Sequence, residues 1–456
     1  MIAIEKGKLN SRWTFYALMS LFWLTLVVRN FFGIGIPVVV FLVYALAISF
    51  LGKRNEMISL AVSCIPLSTS IQYKYIILII IAVYVVKYFK ELGHMQAWAL
   101  FGVLIMFWEL LHFGTLGFSI VEYLRSFAEL LFCMLIFATS YRDYDFSLIR
   151  TTLAISTIVV IGVVFLNILK EGISLDEAFS GYYRFGKYDG ASESFAGQFN
   201  PNGLGFICNL SIAGLLQEIY YKKRPVVNWI MIAFLTLFGT LTLSRSFLVC
   251  FAVIILLFTW CKVHQSNKKK NLFRSVGILL AVAAAMAGAF FLFTKLFPSA
   301  YAQFLNRMNA DDITNGRIEL LSFFNKHIFS SFENAMFGIG MQNVPEKIDA
   351  LYGRQVVPHN GIQETLLIWG IPGLVMVVAW FWSFIHGAKL HNKNRLTLMN
   401  LLPLVFFILE NQSGQFFRSG KSLLAILFAF ISLCQTTDGE TPSNDPQKTS
   451  NEESIL

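Results

Sequence analysis

The sequence predicts an all-α, polytopic integral membrane protein, and its composition and pattern support this fold class. Of the 456 residues, 56% are apolar and only 14% are charged, whereas a soluble domain carries roughly a quarter charged residues. The apolar residues form long stretches, and only helices or closed barrels satisfy their backbone inside lipid. Short basic clusters separate these stretches. The composition therefore excludes a soluble globular enzyme.

A helix needs about 20 mainly apolar residues to cross a membrane, and the stretches of this length predict about 12 to 14 transmembrane helices. The clearest predicted spans are 13–28, 31–51, 97–111, 120–140, 151–168, 203–219, 229–243, 247–261, 275–297, 364–385, 396–410 and 421–434, and the weaker ones are 57–71 and 73–89.

The basic clusters predict the orientation of these spans. Lys6, Lys8 and Arg12 precede the first span, and no small-residue cleavage site follows it, so we expect a retained anchor and a cytoplasmic N-terminus. Every second connection is then basic, as the positive-inside rule requires. Those connections carry Lys53/Arg54, Lys87/Lys90, Arg142/Arg150, Lys222/Lys223/Arg224, Lys262 with Lys268–Lys270 and Arg274, and Lys389/Lys393/Arg395.

The two longest connections, 170–202 and 298–362, both fall on the opposite, outer side. The predicted organisation is a set of N-terminal spans, the first outer loop, central spans, the second outer loop, C-terminal spans and a polar, disordered cytoplasmic tail. The corresponding ranges are 1–169, 170–202, 203–297, 298–362, 363–434 and 435–456.

Several classes of function lack their usual sequence pattern. The net charge of +9 comes from clusters between apolar stretches rather than from one basic face, so we expect no nucleic-acid partner. The chain contains no GxxxxGK[ST] and no HExxH motif, and we expect neither a metal nor a cofactor. No CxxC pair occurs, and the six cysteines lie in or beside apolar runs: Cys64, Cys133, Cys208, Cys250, Cys261 and Cys434.

Polar residues gather where helices are predicted to start from the outer side. Asn200 and Pro201 suit a helix N-cap and first turn, but a cap does not explain Asn202. Arg245, in the sequence Thr-Leu-Ser-Arg-Ser, is predicted at the outer interface, where an unpaired arginine is costly. It either snorkels to lipid headgroups or, as we favour, contributes to an anion site at a helix N-terminus.

The motif Pro358-His359-Asn360 ends the second outer loop. Asn360 and Gln363 approximate a capping box, with Glu364 next in the chain. The positive end of the helix dipole would oppose protonation of His359, and a neutral histidine can act as a base. An inert loop histidine is the alternative.

Arginines in the two outer loops are further candidates for anion recognition. Arg184 lies in the first loop and Arg317 in the second, and either can be an ordinary solvated charge. Arg317 also opens a stretch with helical apolar spacing, which predicts an amphipathic helix on the outer membrane surface. Arg125 and Glu129 are spaced to pair on one face of their span, and we interpret that pair as structural.

These motifs, in this order, resemble the O-antigen ligase and Wzy-type polysaccharide polymerase superfamily of bacterial envelope enzymes. The resemblance covers roughly residues 180–385. Its elements are the Arg184 loop, Asn200-Pro201-Asn202-Gly203-Leu204-Gly205, Leu243-Ser244-Arg245, Asn315-Gly316-Arg317, Gly338-Ile339-Gly340, Pro358-His359-Asn360 and Trp369-Gly370-Ile371-Pro372-Gly373.

The resemblance implies a GT-C-like, metal-independent glycosyltransferase that acts on polyprenyl-diphosphate-linked glycans at the outer face of the bacterial cytoplasmic membrane. His359 and Arg245 are then the candidate catalytic residues, the latter binding the diphosphate with help from Arg184 and Arg317. The candidate supporting residues are Asn200, Asn202, Asn360, Gln363 and Glu364. We expect the partners to be an undecaprenyl-diphosphate-linked oligosaccharide, membrane lipids and a chain-length regulator.

Within the superfamily, a polymerase joins the glycan to the next lipid-linked repeat unit, whereas a ligase transfers it to lipid A core. We favour the polymerase by analogy, because polymerases are the more divergent members and the second outer loop is large. A flippase for lipid-linked oligosaccharides is the alternative from another class. Transporters usually carry inverted repeats and broken helices near the midplane, whereas here the polar residues gather at one rim.

Overall fold

A computed structural model describes residues 2–67, 73–90, 99–115, 118–124, 126–128, 130, 144–170, 172, 184–186, 200–221, 225–264, 277, 288, 290–308, 316–353, 356–391, 396–412 and 420–435. Within these ranges the chain folds into helices and contains no β-strand, which confirms the all-α class. The predicted Arg125–Glu129 pair, most of the predicted spans 120–140 and 275–297, and nearly all of the C-terminal tail lie outside the described residues.

Sixteen α-helices have described bounds. The first eight are α1 (Ile2–Phe32), α2 (Val38–Leu51), α3 (Arg54–Leu67), α4 (Tyr73–Tyr88), α5 (Ala99–Glu109), α6 (Phe146–Lys170), α7 (Pro201–Tyr220) and α8 (Pro225–Leu241). The others are α9 (Arg245–His264), α10 (Pro298–Met308), α11 (Arg317–Ile328), α12 (Phe332–Phe337), α13 (Val344–Tyr352), α14 (Gly361–His391), α15 (Leu398–Glu410) and α16 (Gly420–Leu433).

Among the described residues, five helices are long and apolar enough to cross a membrane, which agrees with a polytopic membrane protein. They cover Arg12–Phe32, Phe146–Lys170, Pro201–Tyr220, Arg245–Val263 and Gly361–Lys389. Five further apolar helices are shorter: Val38–Leu51, Phe101–His112, Val226–Leu241, Leu398–Glu410 and Ser422–Leu433. The total of 12 to 14 spans stays a prediction.

Apolar side chains on the outside of the bundle fit a lipid environment. On α2, the exposed residues Val39, Val43 and Phe50 recur at helical spacing on one face. A soluble monomer rarely exposes such a contiguous apolar stripe. We therefore assign this face to the lipid.

Helix α7 lies at the centre of the described bundle. It packs against α6, α8, α9 and α15, and nearly all of its side chains are buried. Its first turn accepts a hydrogen bond from Arg184, which also donates to the Thr242 carbonyl just before α9. Other hydrogen bonds, given below, join the starts of α9 and α14 to the end of α15. We call this end of the bundle the polar rim, defined by Arg184, Asn202, Arg245, Asn360 and Glu410.

The opposite end of α7 carries a buried polar brace. Arg150 on α6 and Glu218 on α7 pair at 3.5 Å, with both side chains at most 3% exposed. Asn400 on α15 accepts a hydrogen bond from the Tyr221 hydroxyl (3.3 Å) and donates to carbonyls at the end of α16. Because removal of one partner strands a buried charge, we regard this brace as structural.

Helix α14 is broken in its first third, at Gly370, where φ is positive and the backbone extended (φ 67°, ψ −167°). A segment of the second outer loop fills the break: the N–H groups of Ile339 and Gly340 donate to the carbonyls of Leu367 (2.8 Å) and Ile368 (2.9 Å). Pro372 has no N–H to offer Ile368, so the loop replaces a helix bond that the proline cannot make. Pro372 itself lies within the helix, and the non-helical residue is two positions earlier.

Replacement of Gly370 or Gly338 by Ala should detach this loop from α14. A Cβ at Gly370 would lie 2.3 Å from the Met336 carbonyl oxygen, and one at Gly338 would lie 2.4 Å from that of Ile368. Both glycines lie in the extended region at positive φ that is essentially restricted to glycine, which costs an alanine about 1–3 kcal/mol, and the clash adds roughly 1–3 kcal/mol. We expect a lower Tm and faster protease cleavage within 316–353.

Gly353→Ala is the matched control for that experiment. Gly353 also has a positive φ (64°), with ψ 28° in the αL region, and a Cβ there meets no atom within 4 Å. The control should therefore show only the cost of a positive φ. Equal destabilisation in all three variants would contradict a role for the close contact between loop and helix.

Candidate active site at the polar rim

The first outer loop is tied to the polar rim through Arg184. Its Nε donates to the Thr242 carbonyl (2.9 Å) and its Nη2 to Asn202 Oδ1 (2.7 Å), while the N–H of Phe185 donates to the Leu241 carbonyl (3.1 Å). Asn202, which a helix cap did not explain, is thus the acceptor that holds Arg184. The predicted N-cap is confirmed as well, since Asn200 Oδ1 accepts from the Asn202 N–H (3.0 Å).

A tight turn presents Arg245 as the first residue of α9. Leu243 is left-handed (φ 50°), a conformation that is uncommon outside glycine. Thr242 Oγ1 accepts from the Ser244 N–H (3.3 Å), and Ser244 Oγ accepts from the Phe247 N–H (3.4 Å) as a helix cap does. Arg245 is half-buried, so the turn sets its guanidinium partly within the rim.

The end of α15 joins the starts of α9 and α14. Ser246 Oγ donates to the carboxylate of Glu410 (2.8 Å). One residue further along, the Asn411 carbonyl accepts from the Gly361 N–H (2.7 Å). Gln412 Oε1 accepts from Asn360 Nδ2 (3.1 Å). Three consecutive residues of one turn therefore hold the Arg245 side and the His359 side of the rim together.

Asn360 caps α14 as predicted, but Gln363 does not complete the capping box. Asn360 Oδ1 accepts from the Gln363 N–H (3.0 Å). The Gln363 side chain instead crosses to α11, where its Nε2 donates to the Leu321 carbonyl (2.7 Å) and to Asn325 Oδ1 (2.9 Å). Sequence reasoning missed this partner because α11 is distant in the chain. Gln363 thus fixes α11 against the start of α14.

Helix α11 confirms the helix predicted from Arg317 onward, and it brings Arg317 near His359. Its apolar face is divided: Phe324 is buried, whereas Ile318 is exposed. That this helix lies on the membrane surface stays a prediction. His359 is exposed at the loop end, and Pro358 before it is buried. The imidazole is thus accessible from outside the bundle.

The pKa of His359 is lowered from its ordinary value, first by partial desolvation of the ring and second by the positive charge of Arg317. Both effects disfavour the imidazolium form. The sequence predicted the same direction from the helix dipole, but the structure identifies a different charge as a cause. A histidine with this pKa is neutral at pH 7 and able to accept a proton.

If neutral His359 is the active form, the rate should be constant above its pKa and fall as the pH drops through it. Removal of a positive neighbour makes the imidazolium easier to form, which raises this pKa. Arg317→Gln should therefore shift the acid limb of the pH–rate profile to higher pH. Lys326→Gln, on the last turn of the same helix, serves as control and should leave the limb in place. An unmoved limb in Arg317→Gln would contradict the coupling.

Glu364 is fully buried, so it lies inside the bundle rather than on the accessible side of the rim. Of the residues proposed from sequence, contacts join Arg184 to Asn202 and Asn360 to Gln363, and charge couples Arg317 to His359. The side chains of Asn200 and Asn202 accept hydrogen bonds from protein groups, and Glu364 is buried. These positions suit supporting roles. Arg245 and His359 lie at the starts of two helices that the end of α15 connects.

The sequence interpretation also missed two buried carboxylates that contact these segments. Glu410 is 7% exposed at the end of α15. Glu109, which is fully buried, accepts from the Met341 N–H (3.0 Å) and from Trp369 Nε1, so it fastens the second outer loop beside the break in α14. Both residues end predicted apolar spans, and an ionisable residue in such a span is by default a functional candidate. That pattern was available in the sequence.

Comparison with known proteins identifies one region. Residues 230–378, about a third of the chain, match the family model described as O-antigen ligase. The matched region includes Arg245, Arg317 and His359, whereas Arg184, Asn202 and Glu410 fall outside it. A search of the curated proteins finds no match.

Proposed function

Because residues 230–378 carry the domain of the O-antigen ligase family, which implies a glycosyl-transfer enzyme, we propose that this membrane protein is a bacterial polysaccharide polymerase. It transfers an undecaprenyl-diphosphate-linked glycan onto the next lipid-linked repeat unit. The observation that carries the proposal is the arrangement of the polar rim. Arg245 opens one helix, His359 directly precedes the cap of another, and the end of α15 hydrogen-bonds to the residue next to each of them.

In the proposed reaction, Arg245 binds the diphosphate and stabilises the charge that develops on it. A helix N-terminus offers N–H groups and a positive dipole to the same anion. The bond between the anomeric carbon and the diphosphate oxygen breaks, and its electron pair leaves with the diphosphate on the carrier lipid. The acceptor hydroxyl forms the new glycosidic bond as it gives its proton to His359.

We expect Arg317 and Arg184 to contribute to different extents. Arg317 is available to the diphosphate or to the acceptor, since it makes no hydrogen bond to another described residue. Two N–H groups of Arg184 already bind Asn202 and Thr242, so we expect Arg184 to contribute less than Arg245. Asn200, Asn202, Asn360, Gln363 and Glu364 support these groups from the surrounding helices. No metal enters the proposed mechanism.

We place the site at the outer face of the cytoplasmic membrane, because the basic connections predict that α7 and α9 start there. The lipid tail of the donor then stays in the bilayer while its diphosphate reaches the rim. A chain-length regulator is a further proposed partner. The description of the matching family favours a second candidate function, a ligase that transfers the finished glycan to lipid A core.

A strain that lacks the protein separates these functions. Surface polysaccharide is resolved on a gel, and lipid-linked glycans are extracted from the same cells. A single repeat unit on the normal anchor is the expected result for a polymerase. Long chains that remain on the carrier lipid, with a bare acceptor, would identify a ligase. An unchanged profile in both assays would reject transfer of this glycan and return transport or another glycan pathway as the function.

A further inference from the structure

We propose that Glu410, Asn411 and Gln412, named here the bridging turn, form a positioning element that sets the diphosphate side of the site against the acceptor side. This inference rests on the proposed function and adds residues that lie outside the matched family region. The two ends of the bridging turn bind different sides of the polar rim. Glu410 holds Ser246, next to Arg245, and Gln412 holds Asn360, next to His359.

The bridging turn is itself anchored, so it can transmit a fixed geometry. Asn411 is buried, and its Nδ2 donates to the Phe407 carbonyl (2.7 Å). Gln412 Nε2 donates to the Ile408 carbonyl (3.1 Å). Both side chains are thereby tied back onto the last turn of α15. Displacement of α15 would therefore move the starts of α9 and α14 together.

Glu410 acts through an acceptor oxygen. Its carboxylate is 7% exposed, and Ser246 Oγ, which donates to it, also lies 3.0 Å from Ser244 Oγ. Ser244 caps α9, and Arg245 follows it directly. A buried polar group that loses its partner forces its neighbours to rearrange. The position of Arg245 should therefore depend on the Ser246–Glu410 bond.

Gln412 acts on the other side. Asn360 both caps α14 and donates to Gln412, and His359 directly precedes Asn360. The Gly361–Asn411 backbone bond (2.7 Å) adds a second tie at the same place. A displacement of a catalytic group by about 1 Å can lower the rate by up to about 10²-fold. Loss of the Gln412 contact should thus affect the proton-accepting step rather than donor binding.

The test uses the full-length protein in nanodiscs, with undecaprenyl diphosphate as the binding probe and lipid-linked glycan from the deletion strain as the substrate. Glu410→Ala should weaken probe binding and raise the donor KM about tenfold, with the pH profile unchanged. Gln412→Ala should lower kcat about tenfold and leave the donor KM unchanged. Glu410→Gln keeps an acceptor oxygen for Ser246 and should restore most of the loss seen in Glu410→Ala.

A double-mutant cycle checks that Glu410 works through Ser246. Ser246→Ala should reproduce Glu410→Ala, and the double variant should be no worse than either single one, because both remove the same bond. Glu333→Ala, an exposed carboxylate on α12, is the control and should match the wild type.

Failure of this inference can be distinguished from failure of the proposed function. If Glu410→Ala and Gln412→Ala change kcat and KM in the same way, in proportion to a fall in Tm, the bridging turn is only structural and the inference is wrong. If the wild type neither binds undecaprenyl diphosphate nor transfers the glycan, the proposed function itself fails. A split between KM and kcat in the two variants supports both.

Discussion

His359→Ala should lower glycan transfer by about 10²- to 10⁴-fold, the usual contribution of a general base. The donor should still bind, because the diphosphate is proposed to bind Arg245. The side chain is exposed, and exposed substitutions of this kind usually change the free energy of unfolding by no more than about 0.5 kcal/mol. The loss should therefore appear in kcat, with normal protein level and normal probe binding.

His386→Ala supplies the matched control for that variant. His386 is also an exposed histidine, and it lies on α14 near the end that is far from the polar rim. It should transfer glycan at the wild-type rate. Normal transfer by His359→Ala would remove His359 from the mechanism, whereas equal losses in the two variants would point to a general effect on α14.

The positions of the helices could be predicted because the information is local. Each apolar stretch needs only its own residues to be recognised, and α7 begins with the Asn200 cap and Pro201 that the sequence indicated. The start of α14 at the Asn360 cap is equally local. The first helix differs: it extends back to Ile2, so the basic residues Lys6 and Lys8 lie within it rather than before it.

The contacts that build the site could not be predicted, because they join residues far apart in the chain. Ser246 and Glu410 meet across 164 positions, and no periodicity within either helix encodes that pairing. The same holds for Glu109 and Trp369. The resemblance contributed the motif around Gly338 and the motif around Gly370, and the structure adds that these two segments contact each other.

We expect glycan transfer to depend on the planar shape of the Arg245 guanidinium as well as on its charge. Arg245→Ala should lower kcat/KM for transfer by about 10²- to 10³-fold, as loss of one stabilising donor does elsewhere. Arg245→Lys should retain part of the activity, because lysine keeps the positive charge but lacks the planar fork that binds two phosphate oxygens at once. Binding of undecaprenyl diphosphate should fall in the same order.

The position of Arg245 gives the physical reason to expect this order. A cation in the first turn opposes the helix dipole at a cost of about 0.3–1 kcal/mol, so the local preference of α9 disfavours Arg245 at this place. A residue held against local preference is typical of a functional site. A bound diphosphate reverses the balance, since both the guanidinium and the helix N-terminus then face an anion. Wild-type transfer and binding in both variants would place the diphosphate elsewhere.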